Sequence, residues 1–487
     1  MPDMQVSDDS RRAGGHVLIR GLTWNPVPRQ TTPDQACGGY DVGVVRFVRL
    51  NHTRAVSAAA ASIRPLSQGI QGSDTEKQFF FSFRRATEAG VAMHLCGVSS
   101  FWTEVAPRLG HVDDAVKHAL VALGATHHLH RTRRRRRRDS RPCHPDGDSL
   151  ATKRLELFSA RQYNRAIEEV YAHIASNSPR STILVLVCCL IFISLEFLRP
   201  NNGAAIAHLQ NGIQIIQSVM GGLDHAAFAA WARELAMSEA DVWDMIAQFR
   251  NVESALNVFS NDVSLTLGLR LRRASRPRRQ PHPLVHERIA SVADGYRART
   301  EFMNDVTARY SELRRHQGDA AFWAQRHMQR ELRSLRRRAS RIMAEMEALW
   351  VSPEAPRIGT WSSYSSRMDW LLVSSGRTLA ELIPFGVHSF DKVSQSPYIQ
   401  SEVTRGVSLA AKMHLEHAAT GMPPSEFSLE TGIIAVMYWA WVFSTRPETK
   451  ATAVQILQDL DKREGPWDAD EILSSLPSVV TPRLLVS

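Results

Sequence analysis

Apolar positions recur along most of this chain at intervals of three and four residues, the spacing that lines one face of an α-helix. The densest run is Ile183 to Ile193, inside TILVLVCCLIFISLEFLRPNNGAAIAHLQNGIQIIQ at 182–217. A membrane span needs about 20 consecutive apolar residues. This run meets Ser194 and Glu196 too early and predicts a buried core helix. Pro200 stops it, because the ring removes a backbone donor and clashes with the preceding turn. Asn201 or Asn202 caps a second helix, whose Ala205, Leu209, Ile213 and Ile216 fall on one stripe. The expectation is a helical hairpin around which the chain is organised.

The same period predicts most of the other elements. Phe79, Phe80, Phe83, Val91 and Leu95 mark a helix over Phe79 to Cys96, and Ser100 caps another over Phe101 to Leu109, shortened by Pro107. Asp113 or Asp114 opens a third, with Val116, Leu120, Val121 and Leu123 buried and Gly124 near its end. Leu155 to Ile174 follows, and beyond the hairpin come Leu223 to Ala236 and a capped start at Ser238 running through Leu256. Two long tracts cover Val285 to Arg315 and Asp319 to Val351. The second carries Leu332, Leu335, Ile342, Met346 and Leu349 on one side and arginines on the other. Shorter helices are expected over Met368 to Leu382, Ile399 to Ala419, Leu429 to Phe443 and Lys450 to Asp461. Alternation at period two is nearly absent outside a short candidate strand at Val42 to Leu50. The predicted class is all-α, a large helical array over 76–475. Residues 1–75 lack periodicity and read as poorly ordered, and 476–487 as a tail.

Charge changes this picture at three places. The 487 residues carry a formal charge of +10, which favours acidic partners, and the excess sits in arginine clusters. The segment 127–150 holds Arg133, Arg134, Arg135, Arg136, Arg137 and Arg138 and then PCHPDGD. Like charges at that density repel and prolines oppose regular structure, so an exposed loop is expected there. The run reads as a nuclear import signal or phosphate-backbone contact, or equally as a solvated low-complexity insertion. The basic linker 268–284, with Arg272, Arg273, Arg276, Arg278 and Arg279, offers the same choice. Arg333 to Arg341 reads better as the solvated face of a long helix. Ser275 and Ser340 each end an Arg-Arg-Ala-Ser string and are candidate sites for basophilic kinases, whose phosphate would subtract local charge.

The chemistry-bearing residues do not assemble into a recognisable catalytic motif: there is no GxSxG, phosphate loop, GxGxxG or HExxH. The expectation is no enzyme. His127, His128 and His130 read as solvent-exposed loop residues, and the His414/His417 pair lacks a further metal ligand. Of the cysteines, Cys188 and Cys189 sit in the apolar run and read as small core residues. Cys37, Cys96 and Cys143 show no metal-ligand spacing. The first residues, MPDMQVSDDSRRAGG, have no apolar segment of the secretory kind, which sets an expectation of a reduced, intracellular compartment.

In order, the phrases FFFSFRRATEAGVAMH, FWTEVAPRLGHVDDAVKHALVALGATHH, LFSARQYNRAIEEV, LVLVCCLIFISLEFLRPNNGAAIAHLQNGIQII, FRNVESALNVFS, FSLETGIIAVMYWAWVFSTRPETKATAVQIL and KREGPWDADEI span about residues 78 to 475. Together they resemble the helical regulatory ("fungal-specific transcription factor") domain of fungal binuclear zinc cluster (Zn2Cys6) transcription factors. The resemblance implies a nuclear regulator of transcription, commonly of a specialised-metabolite gene cluster, working with transcriptional coregulators and as a homo- or heterodimer, with no membrane partner. In that family a six-cysteine cluster holding two zinc ions reads DNA, placing a helix in the major groove. Here only Ala36-Cys37-Gly38-Gly39-Tyr40 resembles the end of such a cluster, with Cys37 at the place of its last ligand, either as a vestige or as an ordinary loop cysteine. One thiolate does not hold two zinc ions. No cofactor is therefore expected in this chain, zinc only if a complete cluster exists upstream, and DNA is expected to be contacted indirectly or weakly. The alternatives are a helical scaffold or adaptor that does not bind DNA, or a truncated gene model.

Overall fold

The computed structural model describes residues 70–88, 101–138, 145–176, 178–220, 233, 237–259, 288–385, 393–419, 426–460 and 462–476. Among these residues the chain is all-α, as the periodicity predicts. The first group of helices is α1 (Asp74–Glu88), α2 (Ala106–Gly110, entered through a π-helical turn at Phe101–Val105), α3 (Asp114–Arg138), α4 (Pro145–Ser176), α5 (Pro179–Leu198), α6 (Asn202–Met220) and α7 (Glu239–Phe259). The second group is α8 (Val292–Glu312), α9 (Ala320–Ala324), α10 (Arg326–Trp350), α11 (Trp361–Leu382), α12 (Pro397–Ala419), α13 (Ile433–Phe443), α14 (Pro447–Asp459) and α15 (Ala469–Ser475). Each group encloses its own apolar core. Three two-residue strands, β1 (Phe427–Ser428), β2 (Arg463–Glu464) and β3 (Trp467–Asp468), form a small sheet that the sequence pattern did not signal. β1 pairs with β2 in parallel, and β2 with β3 antiparallel.

The first core is built around α5. Its start is fixed by the Ser178 hydroxyl, which accepts the Ser181 N–H at 3.1 Å, and by Pro179, whose missing donor costs nothing in a first turn. Every residue from Ile183 to Ile193 is buried, Cys188 and Cys189 included. Burial keeps both thiols protonated, Cys189 pushed up to about 12. The helix is long and apolar enough to cross a membrane, but 94% of its apolar window is buried inside this fold, against α3, α4 and α6. A helix apolar all round belongs in a core. The turn to α6 places Asn201 so that its side-chain oxygen accepts the Ala204 N–H at 3.3 Å, and the stripe Ala205, Leu209, Ile213 and Ile216 packs inward. Order also begins before Glu76: Ile70 is a core residue, and Ser73 and Glu76 form a reciprocal capping box at the head of α1.

One expected loop is a helix. The segment 127–138, with the whole run Arg133 to Arg138, continues α3, and α4 begins at Pro145, where a proline suits a first turn. Arginine is a good helix former, and cations at a helix C-terminus interact favourably with its dipole. Repulsion within the run is offset by acidic partners on neighbouring elements, which one-dimensional charge counting does not see. Gly124, expected near the helix end, lies at its middle. A Cβ there would come within 2.2 Å of the Phe79 carbonyl oxygen, so glycine is what lets α1 lie against α3.

In the second core α10 buries Leu332, Leu335, Ile342, Met346 and Leu349 as expected. The tract expected over 319–351 is split, because Asp319 caps the short α9 and Gln325 is extended. The arginine face of α10 is not simply solvated: Arg336 pairs with Glu381 at 2.5 Å and Arg338 with Asp305 of α8. α11 starts earlier than expected, capped by Thr360, and α13 later, after Gly432. The candidate strand at 42–50, Cys37, Cys96, Cys143 and the linker residues Arg272, Arg273, Ser275, Arg276, Arg278 and Arg279 lie outside the described residues, as does the helix expected at 223–236 apart from residue 233.

Leu186 is fully buried in α5. Replacing it by Asp places a charge with no partner in the first core, a cost of several kcal/mol. Leu186→Asp is expected to lose the cooperative thermal transition seen by circular dichroism; a variant melting like the wild type would show that α5 is not core.

Candidate functional site

The two cores meet at a polar seam. Phe427 of β1 and Leu429 just after it pack into the first core, while β3 and α15 pack into the second. At the centre of the sheet stands Glu464, fully buried. Helix α13 has no side-chain cap of its own. Its first N–H groups are taken by Glu464, which accepts from Gly432 at 2.9 Å, Ile433 at 3.2 Å and Ile434 at 3.0 Å. A carboxylate at a helix N-terminus satisfies orphan donors and meets the positive end of the dipole. Gly432 is required for the approach, since a Cβ there would sit 2.6 Å from the carboxylate. Lys462, itself buried, pairs with Glu464 at 2.9 Å. Burial works against the ammonium, but Glu464, followed by Tyr364, outweighs it and holds the lysine above its ordinary pKa.

The arginine run converges on this seam. Arg134 is buried and paired with Asp468, whose other oxygen caps α15 by accepting from Asp470 at 3.0 Å and Glu471 at 3.3 Å. Burial raises the Asp468 pKa, and the charges of Arg134 and Arg463 more than reverse it, leaving the carboxyl below its usual range. Arg133 pairs with Glu156, Arg135 lies 3.8 Å from Glu426, and Arg136 donates to the Thr152 hydroxyl at 3.2 Å. Arg131 joins Glu426 at 3.2 Å. The outward parts of Arg133, Arg135 and Arg136 remain exposed. The C-terminal end of α3 is thus a strut between α4 and the 426–468 segment.

Beside the seam lies an open cleft, with about 90 Å³ of room for water-sized groups, between α7, α8, α11, α12 and α13. Its walls are largely aliphatic, with Leu371, Leu379, Val403 and Val407 facing Val436 and Phe443. The floor follows from helical spacing. Ala435, Trp439 and Phe443 recur every four residues along α13, and Thr431 precedes them by the same interval. One end is polar: Glu430 accepts from Tyr296 at 2.9 Å, Asn251 at 3.1 Å and Arg299 at 3.4 Å, and Arg299 also donates to Asp369 at 3.0 Å. Across the cleft Glu402 accepts from Ser374 at 3.3 Å, with Arg377 at 3.4 Å. Burial raises the Glu402 pKa against the pull of Arg377. Both carboxylates are occupied by their neighbours. Two lining donors, the Thr431 hydroxyl and the Trp439 Nε1–H, are buried without a protein acceptor. Concave, mainly apolar and furnished with a few polar groups, the cleft has the make-up of a ligand site. Its polar groups come from five helices and from Glu430 and Thr431 ahead of α13, far apart in sequence, which leaves no local motif.

The other expected candidates are placed as follows. Ser340 is exposed but lies inside α10, where its hydroxyl donates to the Arg336 carbonyl at 3.0 Å, so a kinase would have to unwind that helix. His127 and His130 are not loop residues; they are partly buried on α3, and only His128 is exposed. His414 lies 3.5 Å from Asp459. Among the described residues no cluster of three His, Cys, Asp or Glu side chains could hold a metal ion. Comparison with protein-family models, curated proteins and solved structures finds no match for this chain.

Burial, aided by Arg131, lowers His127 to about 4. Burial, with Arg134 and Arg463, lowers His130 to about 3, and burial alone takes His208 to about 4. Each is neutral in the fold and gains a proton in the unfolded chain near pH 6.5, so stability is full above that pH and falls as pH drops toward 4. Each contributes about 1.4 kcal/mol per pH unit at the steepest. Glu196 and Glu402, raised by burial, act with opposite sign and temper the slope. The urea midpoint is expected to fall from pH 7 to pH 4.5, and His208→Gln is expected to flatten that fall. A midpoint constant over this range would contradict the neutral-histidine assignment.

Proposed function

We propose that this chain is a nuclear regulator of transcription of the fungal zinc cluster type, without an intact DNA-reading cluster of its own, whose helical body is the regulatory part. The observation that supports the reading is where the phrases of the resemblance fall. They supply α1 to α7, then β1, α13, α14, β2, β3 and α15, the elements of the first core and of the seam and part of the second core. A resemblance spread over the elements that must pack together is better support than one confined to a single helix. Control of a specialised-metabolite gene cluster is the output the resemblance implies. DNA is reached through a partner chain or through weak arginine contacts, coregulators bind the helical body, and the chain works as a homo- or heterodimer.

The intramolecular pairing of the Arg133 to Arg136 side chains bears on how the chain would reach the nucleus. A receptor or a phosphate backbone would have to displace Asp468 from a buried arginine, at a cost of several kcal/mol. The proposal therefore assigns import, and any phosphate contact, to Arg272, Arg273, Arg276, Arg278 and Arg279, with Ser275 as the adjoining modification site. A fluorescently tagged full chain is expected in the nucleus. Changing those five arginines to Gln should exclude it, and changing the exposed Arg133 and Arg135 should not. Wild-type chain confined to the cytoplasm would overturn the reading.

A further inference from the structure

We infer that the cleft between α7, α8, α11, α12 and α13 is a binding site for an uncharged, mainly apolar small molecule carrying a carbonyl-type hydrogen-bond acceptor. The inference rests on the cleft alone and holds wherever in the cell the chain acts.

Three properties of the site select that chemistry. Its aliphatic walls and open mouth suit an apolar body only part of which is enclosed, and that part gains about 25 cal/mol for each Å² of surface removed from water. Its charges exclude an anion. Arg299 is the one cation at the polar end, and it already faces two carboxylates, Asp369 and Glu430, so that this end carries a net negative charge. The far end adds Glu402, which a single close arginine, Arg377, balances. An anionic ligand would have to displace a carboxylate from one of these pairs in a low-dielectric setting. The unmatched groups are donors, the Trp439 Nε1–H and the Thr431 hydroxyl, eight residues apart along the floor. A buried donor without an acceptor costs about 1–3 kcal/mol, and an entering carbonyl recovers that cost.

The placement gives such a ligand a mechanical consequence. Asn251, Ser254 and Ala255 on one wall belong to α7, whose Val252 and Leu256 pack in the first core; the remaining walls come from the second group of helices. The floor is the helix whose N-terminus Glu464 holds. A molecule filling the cleft touches both groups of helices and the seam between them. Binding therefore raises the stability of the whole chain, by linkage.

The test uses two dyes and the purified full chain. Nile red is neutral, apolar and carries one carbonyl; anilinonaphthalene sulfonate is comparably apolar but anionic. Nile red is expected to bind saturably at one site, with a blue-shifted emission and a higher melting temperature. The sulfonate should bind at least about tenfold more weakly, because it meets buried carboxylates. Ala440→Trp and, separately, Val436→Trp put bulk into the cleft and should abolish Nile red binding, read on whichever variant melts within a few degrees of wild type. Trp439→Phe keeps an aromatic side chain and removes the donor, and should weaken binding about fivefold. Absence of saturable Nile red binding, equal affinity for the two dyes, or undiminished binding to a folded cleft-filling variant would each overturn the inference.

Discussion

A single buried carboxylate organises the region where the two cores meet. Glu464 takes three consecutive backbone donors at the head of α13, a helix that supplies no cap of its own, and holds the buried Lys462 at the same time. Both groups are out of water, so the pair is costly to form and costlier to break: removing one partner of such a pair typically costs about 3–5 kcal/mol. That asymmetry fixes where α13 begins. It also fixes the floor of the cleft, because Thr431, Ala435, Trp439 and Phe443 are placed by the helix that Glu464 holds. Gly432 is the steric counterpart, the one residue type that lets the carboxylate approach.

The rest of the seam repeats the arrangement with different residues. Asp468 caps α15 with one oxygen and binds Arg134 and Arg463 with the other, which ties the far end of α3 to the closing hairpin. Gly465, at a φ of 54°, makes the turn between β2 and β3 that brings these charges together. Asn251 of α7 and Tyr296 and Arg299 of α8 meet on Glu430. The apolar cores give the two groups of helices their bulk, and directional polar contacts set how they face each other.

The helices were legible in the sequence because their apolar periodicity is strong. α5 and α10 bury the residues the pattern named, and Asn201 caps where its position suggested. The seam was not legible, for a physical reason. Arg133 to Arg138 look like mutually repelling charges when only neighbours in sequence are counted, and their partners Glu156, Glu426 and Asp468 lie up to the far end of the chain. Gly124 likewise looked like a helix end because glycine is a poor helix former, and its role is the passage of α1 against α3. The string Lys462 to Asp468 offered a weak signal: two bases and an acid ahead of a Gly-Pro turn and a second acid behind it, just after a helix. The head of α13 offered another, an apolar helix preceded by Gly432 where a Ser, Thr, Asp or Asn would cap it. A missing local cap is a reason to look for a carboxylate supplied from elsewhere.

The most direct test of this account is amide hydrogen exchange over residues 430–436, measured for the wild type and for Glu464→Gln. The three N–H groups held by Glu464 should exchange as slowly as those of α5 in the wild type. They should lose that protection in the variant, while α5 keeps its own. Rapid exchange at Gly432 to Ile434 in the wild type, or protection unchanged by the substitution, would contradict the claim that this carboxylate holds the seam.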